Sequence, residues 1–165
     1  MVKTNIILFA EGEVVYTDGG VLAEFAWVLV VLPFVAALII TFAGKSLPLK
    51  GAEIALGTIG IIFIYSVALM YLHVTEGVAN EFYINVGNIG QFDIEFGWVV
   101  DGLSIMMYFV VGLVALLVFI YATNYMEGEI RYTFFFTSLT LFAGSMLVLV
   151  SSPTLIQILI GWELV

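Results

Sequence analysis

Apolar residues dominate this chain and form four long stretches that contain no charged side chain. These stretches run over residues 25–44, 54–75, 102–126 and 132–162. A transmembrane helix needs about 20 mostly apolar residues to cross a hydrocarbon core of about 30 Å. The first three stretches therefore each predict one membrane-spanning helix, over residues 25–44, 54–75 and 102–126.

The fourth stretch is too long for one ordinary span, and a turn signal interrupts it. Ser151-Ser152-Pro153-Thr154 contains a proline, which cannot continue a helix. We therefore expect one helix over residues 132–150 and the start of another over residues 153–165. At 1.5 Å per residue, residues 154–165 would cover only about 18 Å. We thus expect the chain to be the N-terminal fragment of a longer protein.

The segment between the second and third spans, residues 76–101, has a different pattern. Apolar and polar residues alternate on both sides of the glycine-containing sequence Gly87-Asn88-Ile89-Gly90. Alternation with a period of two around such a sequence predicts a β-hairpin. The apolar positions are Phe82, Ile84, Val86, Phe92, Ile94, Phe96 and Trp98.

The composition agrees with a membrane protein. Hydrophobic residues make up 63% of the chain and charged residues only 10%, and the mean hydropathy is +1.19, whereas soluble domains are about 45–50% apolar and about 25% charged. We expect an all-α membrane protein with four complete transmembrane helices, the start of a fifth and one outer β-hairpin. Residues 1–24 are expected to be an acidic N-terminal tail, because Glu11 and Glu13 interrupt the apolar run that a signal peptide would need.

Charge sets the expected orientation and excludes some partners. The net charge of −9 argues against binding to nucleic acid, which requires basic patches. Lys45, Lys50 and Arg131 lie in loops that the positive-inside rule places in the cytoplasm. The N-terminus and the hairpin would then lie outside. The lipid bilayer is the expected surrounding medium.

Few residues in this chain can support cofactor chemistry. It has no cysteine and a single histidine, His73, and it lacks both a P-loop and a GxGxxG sequence. We therefore expect no metal and no cofactor on this chain. If it belongs to a redox enzyme, it should be a part that handles ions.

Glu163 is the main candidate for a functional residue. It lies nine residues after Thr154, about 13–14 Å into the last predicted helix and near the bilayer midplane. Intramembrane carboxylates are costly and usually mark ion or proton paths. The alternative is a neutral, hydrogen-bonded structural glutamate or one close to an interface. No Lys or Arg lies within a predicted span, so a basic partner would have to come from further sequence or another subunit.

Other polar residues in the spans have simpler interpretations. Thr133, Thr137, Thr140 and Gly144 share one helical face, which favours close helix packing, with hydration of a path as the alternative. Asp101 is expected to cap the third span, and His73 to be an interfacial group.

Several segments together resemble a known family. Gly161-Trp162-Glu163 resembles the signature of the antiporter-like subunits of respiratory complex I, and Phe96–Ser104 and Tyr121–Met126 resemble segments of its L subunit, chain 5. The resemblance implies a proton-translocating subunit of an NADH–quinone oxidoreductase. Its partners would be the other membrane-arm subunits, and NADH (or another donor) and quinone would be handled elsewhere in the complex. In this family the glutamate of the signature pairs with a lysine on a later helix, and Glu163 matches that glutamate.

Other functions remain open at this point. Relatives of the family include multi-subunit cation/proton antiporters and membrane subunits of hydrogenases or of dehydrogenases that oxidise a reduced deazaflavin. A purely structural membrane anchor is a third class, although a midplane glutamate would be an unneeded cost for an anchor. A bacterial or archaeal plasma membrane is the expected location.

Overall fold

A computed structural model describes residues 17–18, 20–89 and 92–165. Most of the predicted acidic tail lies outside these residues. Of its C-terminal part, Thr17–Asp18 forms a short strand, β1, and Gly20–Glu24 forms one helical turn, α1. Strand β1 pairs in parallel with the first residues of the hairpin, at Val78 and Ala79.

Five further helices follow the predicted apolar stretches. They are α2 (Trp27–Ala43), α3 (Ala52–Glu76), α4 (Gly102–Tyr125), α5 (Tyr132–Ser151) and α6 (Leu155–Leu164). Within the described ranges, α3, α4 and α5 are long and apolar enough to cross a membrane. The expectation of an all-α membrane protein is therefore confirmed, and the chain is an integral membrane protein. Helix α2 has 17 residues and α6 has 10, so these two are shorter.

The ends of the helices follow from local sequence. Helix α3 stops at Gly77, which adopts a left-handed φ of 67° and donates its N–H to the carbonyl of His73. Helix α4 begins after Asp101, whose Oδ1 accepts a hydrogen bond of 2.7 Å from the Ser104 N–H. The expected break at Pro153 separates α5 from α6.

The predicted hairpin is present, but its first strand is longer than the pattern indicated. Strand β2 (Val78–Ile89) pairs antiparallel with β3 (Phe92–Val100), and the register shifts between Asn85 and Gly87. Gly87, Asn88 and Ile89 were expected in the turn, yet they continue the ladder. The turn itself falls on residues outside the described ranges. Glycine and asparagine are unfavourable in strands but are not excluded from them. Backbone pairing with β3 is therefore enough to keep these residues in the strand.

Close helix contacts occur where glycine removes the side chain. Helix α2 packs on α5, α3 on α4, and α6 on α5. A Cβ at Gly112 of α4 would lie 3.2 Å from the Cα of Phe63 in α3, and one at Gly144 of α5 would lie 3.1 Å from the Cβ of Pro33 in α2. Small residues at such crossings let helix backbones approach in a membrane, where dispersion contacts rather than water exclusion favour association.

The threonine stripe of α5 lies along the same contact with α2. A Cβ at Gly44, at the end of α2, would meet the Cγ2 of Thr133 at 2.7 Å, and Thr140 is fully buried. The hydroxyls of Thr137 and Thr140 donate to the carbonyls four residues earlier in their own helix. These contacts favour the packing interpretation of the stripe over hydration.

Candidate functional site

The start of helix α6 is attached to the hairpin by one side chain, Gln157. Its Nε2 donates to the carbonyl of Gly97 over 2.8 Å, and its Oε1 accepts from the Gly97 N–H over 3.0 Å. The Gln157 residue is only 7% exposed. Both backbone groups of Gly97 are thus satisfied by a residue 60 positions further along the chain. Thr154 caps the same helix, because its hydroxyl accepts from the Gln157 N–H.

One turn later, α6 touches α5 at Gly161. A Cβ at this position would lie 3.1 Å from both the Cα and the N of Leu149. Gln157 and Gly161 are four residues apart, so they lie on the same face of the helix. They are also the two buried residues of α6. This pair of contacts fixes the rotation of α6 about its axis.

That rotation points Glu163 away from α5. Two residues correspond to about 200° around an α-helix, so Glu163 lies nearly opposite Gly161. Glu163 is exposed, and its neighbours on the helix surface, Leu159 and Ile160, are exposed apolar residues. Within the described part of the chain its carboxylate has no hydrogen-bond or ion-pair partner. The described residues therefore orient the carboxylate on an apolar surface but do not supply its partner.

The other residues singled out from the sequence have local structural contacts. The ring of His73 is half-buried, and its Nδ1 donates to the carbonyl of Val78 over 2.7 Å, which joins the end of α3 to the start of β2. Its Nε2 would be 2.8 Å from a Cβ at Gly102. Asp101 caps α4, as expected. Neither His73 nor Asp101 is brought to Glu163 by the contacts that the structure describes.

Sequence reasoning did not find the role of Gln157. The spacing alone shows that Gln157 does not share a helical face with Glu163, because six residues correspond to about 240° around the helix. The contact with Gly97 was not, because nothing in either sequence segment links α6 to the hairpin. The one available signal was a glutamine at the third position of an apolar helix, since a polar side chain there must find a hydrogen-bond partner.

The comparisons with known proteins bear on this arrangement. The family model "NADH-Ubiquinone oxidoreductase (complex I), chain 5 N-terminus" matches residues 87–136. NAD(P)H-quinone oxidoreductase chain 5 of Synechocystis sp. is 36% identical over 151 residues, which are 87% of this chain and 22% of that protein. Over most of its length the chain is similar to chain 5 of complex I. Its chloroplastic relative in Chlorokybus atmophyticus is 34% identical over 149 residues, 86% of this chain and 23% of the relative.

The chain spans about a fifth of the length of the curated relatives it matches. The resemblance identified from its sequence segments is confirmed, since the matched region includes the hairpin from Gly87, all of α4 and the first turn of α5. The role of Glu163 stays a prediction.

Proposed function

We propose that the chain forms the N-terminal part of a proton-translocating membrane subunit of an NADH–quinone oxidoreductase. One observation carries the assignment of a residue to this function: the contacts of Gln157 and Gly161 direct Glu163 outward from an apolar helix face. A carboxylate facing hydrocarbon is costly. We therefore infer that a further protein element or a hydrated cavity faces this side of α6 in the full-length subunit.

In this proposal Glu163 binds and releases a proton during the catalytic cycle of the complex. A nearby cation favours the ionised carboxylate, whereas burial without a cation favours the protonated form. Movement of a basic partner towards and away from Glu163 would then drive uptake and release. Lys50 and Arg131 lie just before the first residues of α3 and α5, at the ends of these helices that are farther from the hairpin. The basic partner of Glu163 would therefore come from outside residues 1–165.

The redox chemistry belongs to other parts of the complex. The sequence provides no cysteine and one histidine, so NADH (or another donor) and quinone are proposed to bind to other subunits. The other membrane-arm subunits are the proposed partners. The proposed location is a bacterial or archaeal plasma membrane, with the N-terminus and the hairpin outside, as the loop positions of Lys45, Lys50 and Arg131 favour.

Glu163→Gln in the full-length subunit tests the assignment. Proton translocation and NADH–quinone electron transfer are measured together in sealed membrane vesicles, with Glu129→Gln in the loop between α4 and α5 as the matched control. We expect Glu163→Gln to lower the number of protons moved per electron, while Glu129→Gln retains it. Unchanged translocation in Glu163→Gln would overturn the role of this residue.

The same vesicles distinguish the alternatives left open by the sequence. The names of the relatives refer to NAD(P)H-quinone oxidoreductases, which favours the redox complex over a free-standing antiporter. Sodium-driven proton exchange without any quinone reduction would support the antiporter. Normal assembly and normal ion transport in Glu163→Ala would support a structural anchor.

A further inference from the structure

A cavity of about 180 Å³ lies at the hairpin end of the helices, where four elements meet. Its lining includes Trp27 at the start of α2, Phe96, Gly97 and Trp98 of β3, Ser151 at the end of α5, and Gln157 of α6. Three of these side chains are aromatic, and those of Ser151 and Gln157 are polar. Aromatic walls with a small number of polar groups are typical of sites for small molecules.

The polar residues of this cavity have more acceptors than donors left for a ligand. Ser151 is buried and donates its one hydrogen to the carbonyl of Leu147, so its oxygen can only accept from a ligand. The pairing of Gln157 with Gly97 leaves a lone pair on the Gln157 Oε1, a lone pair on the Gly97 carbonyl and one N–H of the amide. A ligand that carries several hydrogen-bond donors matches this set.

The aromatic walls and the charge of this end of the molecule favour a cation. Aromatic rings attract ammonium groups, tryptophan most strongly, and Trp27 and Trp98 both line the cavity. Residues 76–101 contain five acidic residues and no Lys or Arg. Glu24, three residues before Trp27, is also exposed. An anionic ligand would be repelled here, whereas an ammonium group would be attracted.

The rim of the cavity continues into an exposed apolar stripe on α2. Val31 lines the cavity and is itself exposed, and Val35 and Leu38 follow on the same helical face, both exposed. Trp27, at the first residue of α2, is partly exposed as well, and tryptophan is enriched where membrane spans meet water. A ligand with an ammonium group and alkyl chains, as in an aminophospholipid, matches both the cavity and the stripe.

We propose that this cavity binds the primary ammonium head group of an aminophospholipid such as phosphatidylethanolamine. The three N–H donors of the ammonium group bond to the free lone pairs of Ser151, Gln157 and the Gly97 carbonyl. The aromatic walls stabilise its charge, and the acyl chains lie along α2. A trimethylammonium group has no N–H donor, so phosphatidylcholine should bind more weakly. This site goes beyond the proton-translocating function, since Glu163 is not part of it.

Photolabelling of the intact complex in lipid vesicles tests the proposal. Phosphatidylethanolamine and phosphatidylcholine with identical diazirine-bearing acyl chains are each added to vesicles, and mass spectrometry locates the labelled residues after illumination. Relative to the labelling of the whole complex, we expect phosphatidylethanolamine to label residues 27–38 severalfold more than phosphatidylcholine does. Equal labelling by both, as for lipid that merely surrounds the protein, would overturn the proposal. Labelling by neither, as for a cavity filled by a lysine of another subunit, would also overturn it.

A pair of variants assigns the lipid preference to the cavity. Ser151→Ala removes one acceptor and changes the volume little. Ser145→Ala makes the same change at a fully buried serine of α5 that also donates to its own helix but does not line the cavity. In complexes that retain quinone reduction, the preference for phosphatidylethanolamine should fall severalfold in Ser151→Ala and stay unchanged in Ser145→Ala. An equal preference in both variants would contradict the proposal, and the wild-type comparison stands even if a variant fails to assemble.

Discussion

The side-chain amide of Gln157 forms with Gly97 the pair of hydrogen bonds that a neighbouring strand would otherwise form, at 2.8 and 3.0 Å. At Gly97, the backbone groups of β3 that a further strand could pair with are instead bonded to a side chain of α6. Because the contact is at the first turn of α6, it also sets the direction in which Glu163 points six residues later.

Gln157→Leu should destabilise the attachment of α6 to the hairpin. The substitution keeps a similar volume but leaves the N–H and carbonyl of Gly97 buried and unpaired, which costs about 1–3 kcal/mol per group. Thermal unfolding of the purified complex measures the loss. Leu155→Ala on the same helix is the control, because Leu155 is 82% exposed. Similar unfolding temperatures for the two variants would contradict the importance of the amide pair.

Gly97→Ala should disrupt the hairpin even though alanine is a small residue. A Cβ at this position would overlap the carbonyl oxygen of Phe82, a backbone atom that cannot move without shifting its strand. Overpacking of this kind costs about 1–3 kcal/mol or more. The stacking of Phe82 on Trp98, with centroids 4.4 Å apart, should be lost.

Limited proteolysis of residues 78–100 detects this change. Gly57→Ala is a matched control, because a Cβ there has nothing within 4 Å. Equal resistance of the two variants would show that the strand pair tolerates the added methyl group.

Gly161→Leu should lower proton translocation without changing the carboxylate itself. A side chain at this position would push against the backbone of Leu149 and move α6 away from α5. Glu163 would then lose its orientation. Proton translocation per electron in vesicles is the measurement, and Gly60→Leu in α3 is the control, since a Cβ at Gly60 has nothing within 4 Å. Full translocation in Gly161→Leu would mean that the position of α6 does not matter.

Asp101→Ala should destabilise the start of α4 by about 1 kcal/mol, the usual loss for an N-cap. The Ser104 N–H would lose its acceptor at 2.7 Å. Asp101→Asn keeps a side-chain oxygen and should retain most of the stability. The midpoint of thermal unfolding of the complex distinguishes these variants, and an equal loss in both would indicate that the charge rather than the cap is responsible.

The sequence predicted the helices well because each apolar stretch is bounded by charges, glycine or Pro153. The hairpin followed from its alternation. The extent of β2 did not, because Gly87 and Asn88 are common turn residues and only pairing with β3 decides their conformation.

The candidate site could be predicted only in part. The spacing along α6 keeps Gln157 and Glu163 off a common face, which is a property of the helix alone. The contacts with Gly97 and Leu149 depend on how the helices pack, and local sequence does not encode them.

The contact between α2 and α5 contains threonine hydroxyls, and in a membrane that stores a proton gradient their hydrogen bonding matters. Thr137 and Thr140 each donate their hydrogen to a carbonyl of α5, while Gly144 closes the gap against Pro33. A Grotthuss relay requires hydroxyls that can pass a hydrogen from one molecule to the next, and these two hydroxyls have theirs committed. The hydroxyls of Thr137 and Thr140 are thus bonded to their own helix, so the contact between α2 and α5 holds polar side chains within the bundle without joining these two into a hydrogen-bonded chain.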